Sequence, residues 1–448
     1  MFLTMKYHYK PSKEEYKFLE FLCKISKNIY NCALYELRQA YIKQKIKLTL
    51  TQTLAKISSN INYKILDSKQ AYSIALAAYT NMAKYIKYHN DDGTMKKEYE
   101  YLGTDFAKFP KYRKKNSTLP LITNNVYKSV YQEHECIRLQ LSYLTKSSRV
   151  FNQTFEDELV DKFIKEYGLK KSFDIYFRIP KPIKDYKIHQ LRVVPKNKEF
   201  YIEFTYEKED VKMKTQIKKS MAIDLGLSNL ACAVTTDNEA FIIDGKKLKS
   251  INQFYNKQRA YFQSKLPPNI KYSKRLRKLD IKRNDRVEDY LNKAAAILLK
   301  KAEELQVDEI IIGWNKGIKE GGIKNEKLIG QKEKQVNQNF VEIPISRFKN
   351  KIVNKCNQKG IKTVVIDESY TSKASFYDKD PMYKTTFSGE RFIRGLYRRK
   401  NGQLVNADVN AALNIYRKYI YKSNSKNNRI HYLMSRGNVV PYRVLVTL

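Results

Sequence analysis

Five short apolar runs set the strictest limit on what this chain can become: MAIDLG (221–226), LACAVTT (230–236), AFIID (240–244), DEIIIG (308–313) and IKTVVID (361–367). Each is too short for a buried helix and is bounded by turn residues, so each reads as a strand. The first three are separated by three residues apiece, as in an antiparallel meander. The last two are continuously apolar, the pattern of parallel strands buried on both faces, and the spacing predicts a helix between them from about Ile345 to Gln358. A final helix, ADVNAALNIYRKY, places Val409, Ala412, Leu413 and Tyr416 on one face.

Strand, strand, strand, helices, strand, helix, strand, helix is the succession of the RNase H architecture. In that order Asp224 ends the first, central strand and Asp408 opens the last helix, both at the same end of the sheet. Hydrolysis of nucleic acid by paired Mg²⁺ ions needs carboxylates from different elements at one point, so that metals about 3.5–4 Å apart can clamp the attacking and leaving oxygens. Each residue alone has a plainer explanation: Asp224 as a turn residue before Gly226, Asp408 as a favoured helix N-terminal residue.

Charge narrows the partner. Lys and Arg number 86 against 46 Asp and Glu, a net +40. This is too one-sided for an ordinary metabolic enzyme and points to a polyanion. Hydrophobic residues at 42% exclude a disordered basic tail, and 448 residues suffice for two or three domains. A Lys-, Asn- and Ile-rich composition could arise from coding bias, but that does not account for the scarcity of acids. No run reaches the roughly 18 apolar residues of a membrane span and the first residues lack a signal-like core, so a soluble, cytoplasmic chain is expected. The five cysteines lie far apart without a CxxC, as reduced thiols do, and the five histidines are equally scattered, so no zinc site of the usual spacing can be assembled.

Upstream, Ser12 and Glu15 form a capping-box pattern ahead of Phe18, Leu22, Ile25 and Ile29, predicting a long amphipathic helix to about Tyr41. A second helix from Ser68 carries Ala71, Ala75, Ala78, Met82 and Tyr85. Short, Pro-broken segments follow, with a β-hairpin over IHQLRVV (188–194) and EFYIEFTYE (199–207) in a small sheet or barrel. Lys108, Lys111, Arg113, Lys114 and Lys115 surround Phe109 and Tyr112 without an acid, so cations could meet phosphates while rings stack on bases. A solvated turn is the alternative. Lys271 to Arg286 holds eight Lys/Arg against Asp280 and Asp285.

AIDLGLSNL, IIIGWN, NQNFVEIPISRF, ESYTSKASF, GERFIRGLYRRKNG and NADVNAALNI, over about 220 residues in this order, resemble the C-terminal half of the TnpB proteins of bacterial insertion sequences. The likeness is weaker over the N-terminal helices and FPKYRKK. It implies a RuvC-type nuclease domain, an N-terminal β-barrel bearing a helical insert, a bound guide RNA, and cleavage of double-stranded DNA beside a short motif. Compact type V CRISPR effectors share that plan. Two departures stand out. Many members carry Glu where this chain has Gly313, and Glu368 at the end of the next strand is offered instead. Asp367 competes, but alternation along a strand lets only one of the pair face the site. Most relatives also bind zinc through paired cysteines, whereas residues 374–403 contain none. Arg391, Arg394, Arg398, Arg399 and Lys400 stand there, read as a metal-free basic flap on the guide–target duplex, the alternative being a charged loop.

The expected organisation is α/β plus β-barrel: a nucleic-acid-binding barrel over 1–10 and 96–215, a helical insert over 11–95, an RNase H-like (RuvC) nuclease over 216–373 and 403–421, a basic flap over 374–402, and a tail over 422–448. The expected function is RNA-guided, Mg²⁺-dependent DNA cleavage through two ions held by Asp224, Glu368 and Asp408, with Mn²⁺ able to substitute, Asn406 and Asn410 flanking, and no structural zinc. Competing readings are a nuclease-inactive guided repressor, favoured by the missing Glu at 313, and a guide-independent structure-selective nuclease.

Overall fold

The computed structural model describes residues 1–66, 68–102, 107–124, 128–140, 165–166, 168, 174–315, 343–383, 386–393, 395–422, 433 and 439–447. Two compact units divide at residues 209 and 210.

In the first unit, helix α1 (Lys13–Gln44) begins as predicted: Ser12 Oγ accepts from Glu15 N at 3.2 Å while Ser12 N donates to Glu15 Oε2 at 2.7 Å. It runs three residues past Tyr41 and stops at Lys45, whose φ of 55° is left-handed. Its stripe of Phe18, Leu22, Ile25 and Ile29 packs in one core with Ala71, Ala75, Ala78 and Met82 of α4 (Ser68–Tyr88). Two short helices, α2 (Leu50–Ile57) and α3 (Ile61–Ile65), lie between them in the chain. Strands β1 (Phe2–Tyr9), β2 (Leu121–Thr123), β6 (Ile188–Lys196) and β7 (Glu199–Glu207) form an antiparallel sheet in the order β1-β7-β6-β2. The predicted hairpin is longer than its apolar pattern, because Asn197 and Lys198 both take positive φ and close it as a two-residue turn matched to strand twist. A second sheet joins β3 (Lys128–Tyr131), β4 (His134–Gln140) and β5 (Asp174–Arg178). Among the described residues these are two open sheets.

The second unit is built on a six-stranded sheet. Its strands are β8 (Ser220–Leu225), β9 (Asn229–Thr235), β10 (Ala240–Asp244), β11 (Glu309–Gly313), β12 (Lys362–Ile366) and β16 (Tyr442–Val444), in the order β12-β11-β8-β9-β10-β16. The first three run antiparallel; β11 and β12 run parallel to β8. Helices α5 (Lys246–Ser264), α6 (Lys274–Glu304) and α7 (Ile345–Asn357) contribute Leu248, Leu291 and Phe348 to one core, and α8 (Ala407–Lys422) contributes Leu413 and Ile415 to another. Alternation along the strands sorts side chains between them: Met221 and Ile223 enter the first, Ala222 the second.

One segment differs from expectation and another gains detail. Part of the 422–448 stretch read as a tail is the edge strand β16, paired parallel to β10 and anchored by Val444 and Val446 against the α5–α7 core; three residues are too few for a periodicity signal. The basic 374–402 stretch contributes strands β13 (Glu390–Ile393) and β14 (Leu396–Arg398) to a small antiparallel sheet completed by β15 (Leu404–Asn406), which leads directly into α8. Among the described residues no helix is long and apolar enough to cross a membrane.

Candidate functional site

The alternation that buries Met221 and Ile223 under α5–α7 turns Asp224 towards α8. Asp408 lies in the first turn of that helix, where Asn406 Oδ1 accepts from Asp408 N at 3.0 Å and Val409 N at 3.1 Å and so fixes how the helix starts. Glu368 comes from just beyond β12. The register pairs Gly313 with Ile366 and Ile312 with Ile223, so Gly313 lies between the ends of β12 and β8. A Cβ at Gly313 would stand 3.2 Å from Glu368 Oε2 and 2.3 Å from Ile415 Cδ1. The glycine therefore leaves room for both the Glu368 carboxylate and close packing of α8.

Electrostatics ties the three carboxylates together. Burial pushes Asp224 well above the usual carboxylate range, and the negative charges of Asp408 and Glu368 push it further, opposed by Arg391. Burial and the neighbouring Asp367 raise Glu368 to about 7, against a backbone N–H of Asn315 and the charge of Lys418. Asp367 goes the opposite way. Burial would raise it, but hydrogen bonds from Lys418 Nζ at 2.8 Å and Ser369 Oγ at 2.8 Å hold it below its ordinary value. Asp367 is thus neutralised on its own side of the strand, while Glu368 faces Gly313. Among the described residues, no three His, Cys, Asp or Glu side chains are drawn closely enough to hold a metal ion as they stand. Carboxylates are oxygen donors of the kind that a hard divalent cation such as Mg²⁺ or Mn²⁺ takes.

Asp408 has two further partners. Its Oδ2 accepts from Asn229 Nδ2 at 2.5 Å, and its Oδ1 lies 3.4 Å from Arg391 Nη2 on β13. The other flap arginines bind within the flap region: Arg398 pairs with Glu390 and stacks over Phe392 at 4.6 Å, and Arg399 approaches Asp378 at 3.5 Å and covers Tyr377. Arg394 lies outside the described residues. Asn410 has a structural task, its amide clamping the 374–376 turn through Phe376 N at 2.9 Å and Ala374 O at 2.8 Å.

In the first unit the 108–115 segment is strapped to α1 by its backbone. Arg113 N and O bond to Asn31, Arg38 donates to Pro110 O at 3.1 Å, and Lys27 donates to Lys115 O at 3.0 Å. The Arg38 guanidinium lies between the rings of Phe109 and Tyr112, 4.7 and 4.5 Å from their centroids. With carbonyls and amides tied down, the side chains of Lys108, Lys111, Tyr112, Arg113, Lys114 and Lys115 are left exposed.

Asn229, Lys418 and Arg443 stand at the site without a functional signal of their own in the sequence. Asn229 sits inside a quoted motif, but Lys418 and Arg443 carry no local signal.

Residues 203–319 match the OrfB_IS605 family model, described as a probable transposase, and residues 346–415 match the Cas12f1-like TNB domain. The resemblance to TnpB proteins is borne out over these segments. A solved Cas12f1–sgRNA–target DNA complex is similar at 15% identity, covering 90% of this chain and 83% of that one with a TM-score of 0.56, which shows a shared fold. A structure of CasPhi-2 (Cas12j) bound to crRNA and phosphorothioate DNA is more distant, at 11% identity, 93% and 91% coverage and a TM-score of 0.39. No curated protein matches the chain.

Proposed function

We propose that the protein is an RNA-guided DNA endonuclease of the TnpB type, its second unit an RNase H-like (RuvC) nuclease domain and its first a nucleic-acid-binding body with a helical insert. What supports this reading is that the charges of Asp408 and Glu368, from two further elements, bear on Asp224 at the end of the central strand, and that the Glu368 carboxylate stands beside Gly313. The transposase and TNB matches and the fold shared with a guide- and target-bound nuclease support it. Bound divalent cations, two Mg²⁺ or Mn²⁺, would supply charge compensation and a lowered water pKa. The chain's own part is to hold the carboxylates where water is scarce, keep Asp367 on Lys418, and leave Gly313 without a side chain. No covalent protein intermediate is needed.

Guide pairing would read sequence, while the protein grips the heteroduplex by its backbone and inspects a short motif. Lys108, Lys111, Tyr112, Arg113, Lys114 and Lys115 are the proposed contacts in the first unit, with Arg391, Arg394, Arg398 and Arg399 in the second. No structural zinc is expected, which elemental analysis tests. The repressor reading rests on the absent Glu at 313, and the Glu368 carboxylate beside that glycine weighs against it. The test is to sequence RNA that co-purifies with the protein and supply a matching DNA target with Mg²⁺. Cutting that disappears with Asp224→Ala supports the proposal. Guided binding without cutting gives the repressor, and cutting without RNA the guide-independent nuclease.

A further inference from the structure

A chain of side-chain hydrogen bonds crosses the second unit from its edge strand to Asp408. Arg443 of β16 donates through Nη1 to Asn229 Oδ1 at 3.1 Å and to Asp244 Oδ1 at 2.6 Å. Asp244 is buried, its other oxygen accepting from Lys246 N at 2.9 Å. Asn229, directly opposite Asp244 in the β9–β10 register, passes the connection on by donating from Nδ2 to Asp408 Oδ2.

We propose that Arg443 is a positioning residue for the nuclease site, acting through Asn229 on Asp408. An asparagine amide presents an oxygen on one side and an NH₂ on the other, and alone it can turn either way. A guanidinium only donates, so Arg443 obliges the Asn229 oxygen to face it and the NH₂ to face Asp408. The reversed amide would point its oxygen at a carboxylate and repel it. Asp244, held by a backbone N–H, keeps the guanidinium in place. With Oδ2 held by Asn229, a cation would take Oδ1 of Asp408 in place of its longer, 3.4 Å contact with Arg391 Nη2. The short segment that reads as a tail would therefore set the metal affinity of a site built by the rest of the unit. The inference rests on the nuclease reading of Asp408.

The competing explanation is that Arg443 merely fastens β16 to β10 through Asp244. Cleavage by the guide-loaded protein is titrated with Mg²⁺, and binding of Mn²⁺ to the same complex is followed by electron paramagnetic resonance. Arg443→Gln and Asn229→Ala are each expected to raise the half-saturating concentration about tenfold, the usual effect of losing a residue that orients a ligand. The double variant should be no worse than Asn229→Ala alone, and Arg443→Lys should restore part of the affinity. Wild-type metal dependence in Arg443→Gln, or a double variant whose losses multiply, overturns the proposal. If Arg443→Gln does not fold, Arg443→Lys measured alone and with Asn229→Ala decides by the same criterion. A wild-type protein that neither binds Mn²⁺ nor cuts refutes the nuclease reading itself; a wild type that does both beside variants that match it refutes the positioning role alone.

Discussion

The two ends of the six-stranded sheet both carry carboxylates, and the chain treats them in opposite ways. Where β8 and β11 begin, Asp308 accepts from Lys214 Nζ at 2.7 Å and from the backbone N–H groups of Lys218 and Lys219 at 2.9 and 3.1 Å. Its neighbour Glu309 is buried with Ser220 Oγ, Tyr419 OH and Lys362 Nζ around it. Burial would raise Asp308, but Lys214 and the backbone N–H groups of Lys218 and Lys219 hold it below the usual range. At the other end, after β8 and β12, Asp224 and Glu368 are both pushed up, by burial first and by other carboxylates second. A carboxylate that is buried and paired holds a fold together; carboxylates buried against one another cost stability and imply a use that repays it.

The sharpest way to break this contrast is to remove charge at the proposed site. Asp224→Asn and Asp408→Ala should each lower cleavage by about a thousandfold or more, with Asp224→Asn melting no lower than the wild type in chelator because a repelled charge is gone. A melting point well below wild type for Asp224→Asn would place it with the paired carboxylates instead.

Glu368→Gln comes next. Cutting should slow at least about a hundredfold, a barrier increase of roughly 3 kcal/mol, with guide and target binding unchanged. The same variant carries a stability test. The folded protein keeps a proton on Glu368 up to about pH 7, whereas the unfolded chain gives it up near the ordinary carboxylate range. This group therefore removes stability as pH rises between those values. Glu368→Gln should melt above wild type at pH 8 in chelator, and the advantage should shrink as pH falls through this window and vanish below the ordinary carboxylate value. Wild-type cleavage rates in this variant would end its role as a ligand.

At the opposite end Asp308→Asn should cost about 1–3 kcal/mol of stability, read by denaturant unfolding, while cleavage per folded molecule stays at the wild-type rate. Because its folded-state pKa is depressed, the stability it contributes is present above the ordinary carboxylate range and is lost as pH falls through the depressed value. The difference between variant and wild type should shrink accordingly in acid. Smallest of all, Asp367→Asn gives up a partly exposed ion pair with Lys418 and should change stability by about 1 kcal/mol or less and cleavage by no more than a few-fold. A large loss of cutting there would mean the two carboxylates after β12 have been assigned the wrong way round.

Periodicity and composition carried the local elements: the capping box of α1, the amphipathic stripes of α1 and α4, the five apolar strands, and the places of Asp224 and Asp408 at the end of a strand and the start of a helix. These signals are short-range, set by alternation every second residue or recurrence every third or fourth, and survive in the sequence without knowledge of the partner. The relation among distant residues is of another kind. That Gly313 admits Glu368, that Lys418 claims Asp367, and that Arg443 reaches Asn229 across β10 depend on which strands become neighbours and in what register. That choice is made by burying Ile310, Ile312, Met221 and Phe348 in one core, and no spacing along the chain encodes it. Edge strand β16 shows the limit most plainly: three residues have no period of their own, and they become a strand because β10 offers them an unpaired edge and the core takes in Val444 and Val446.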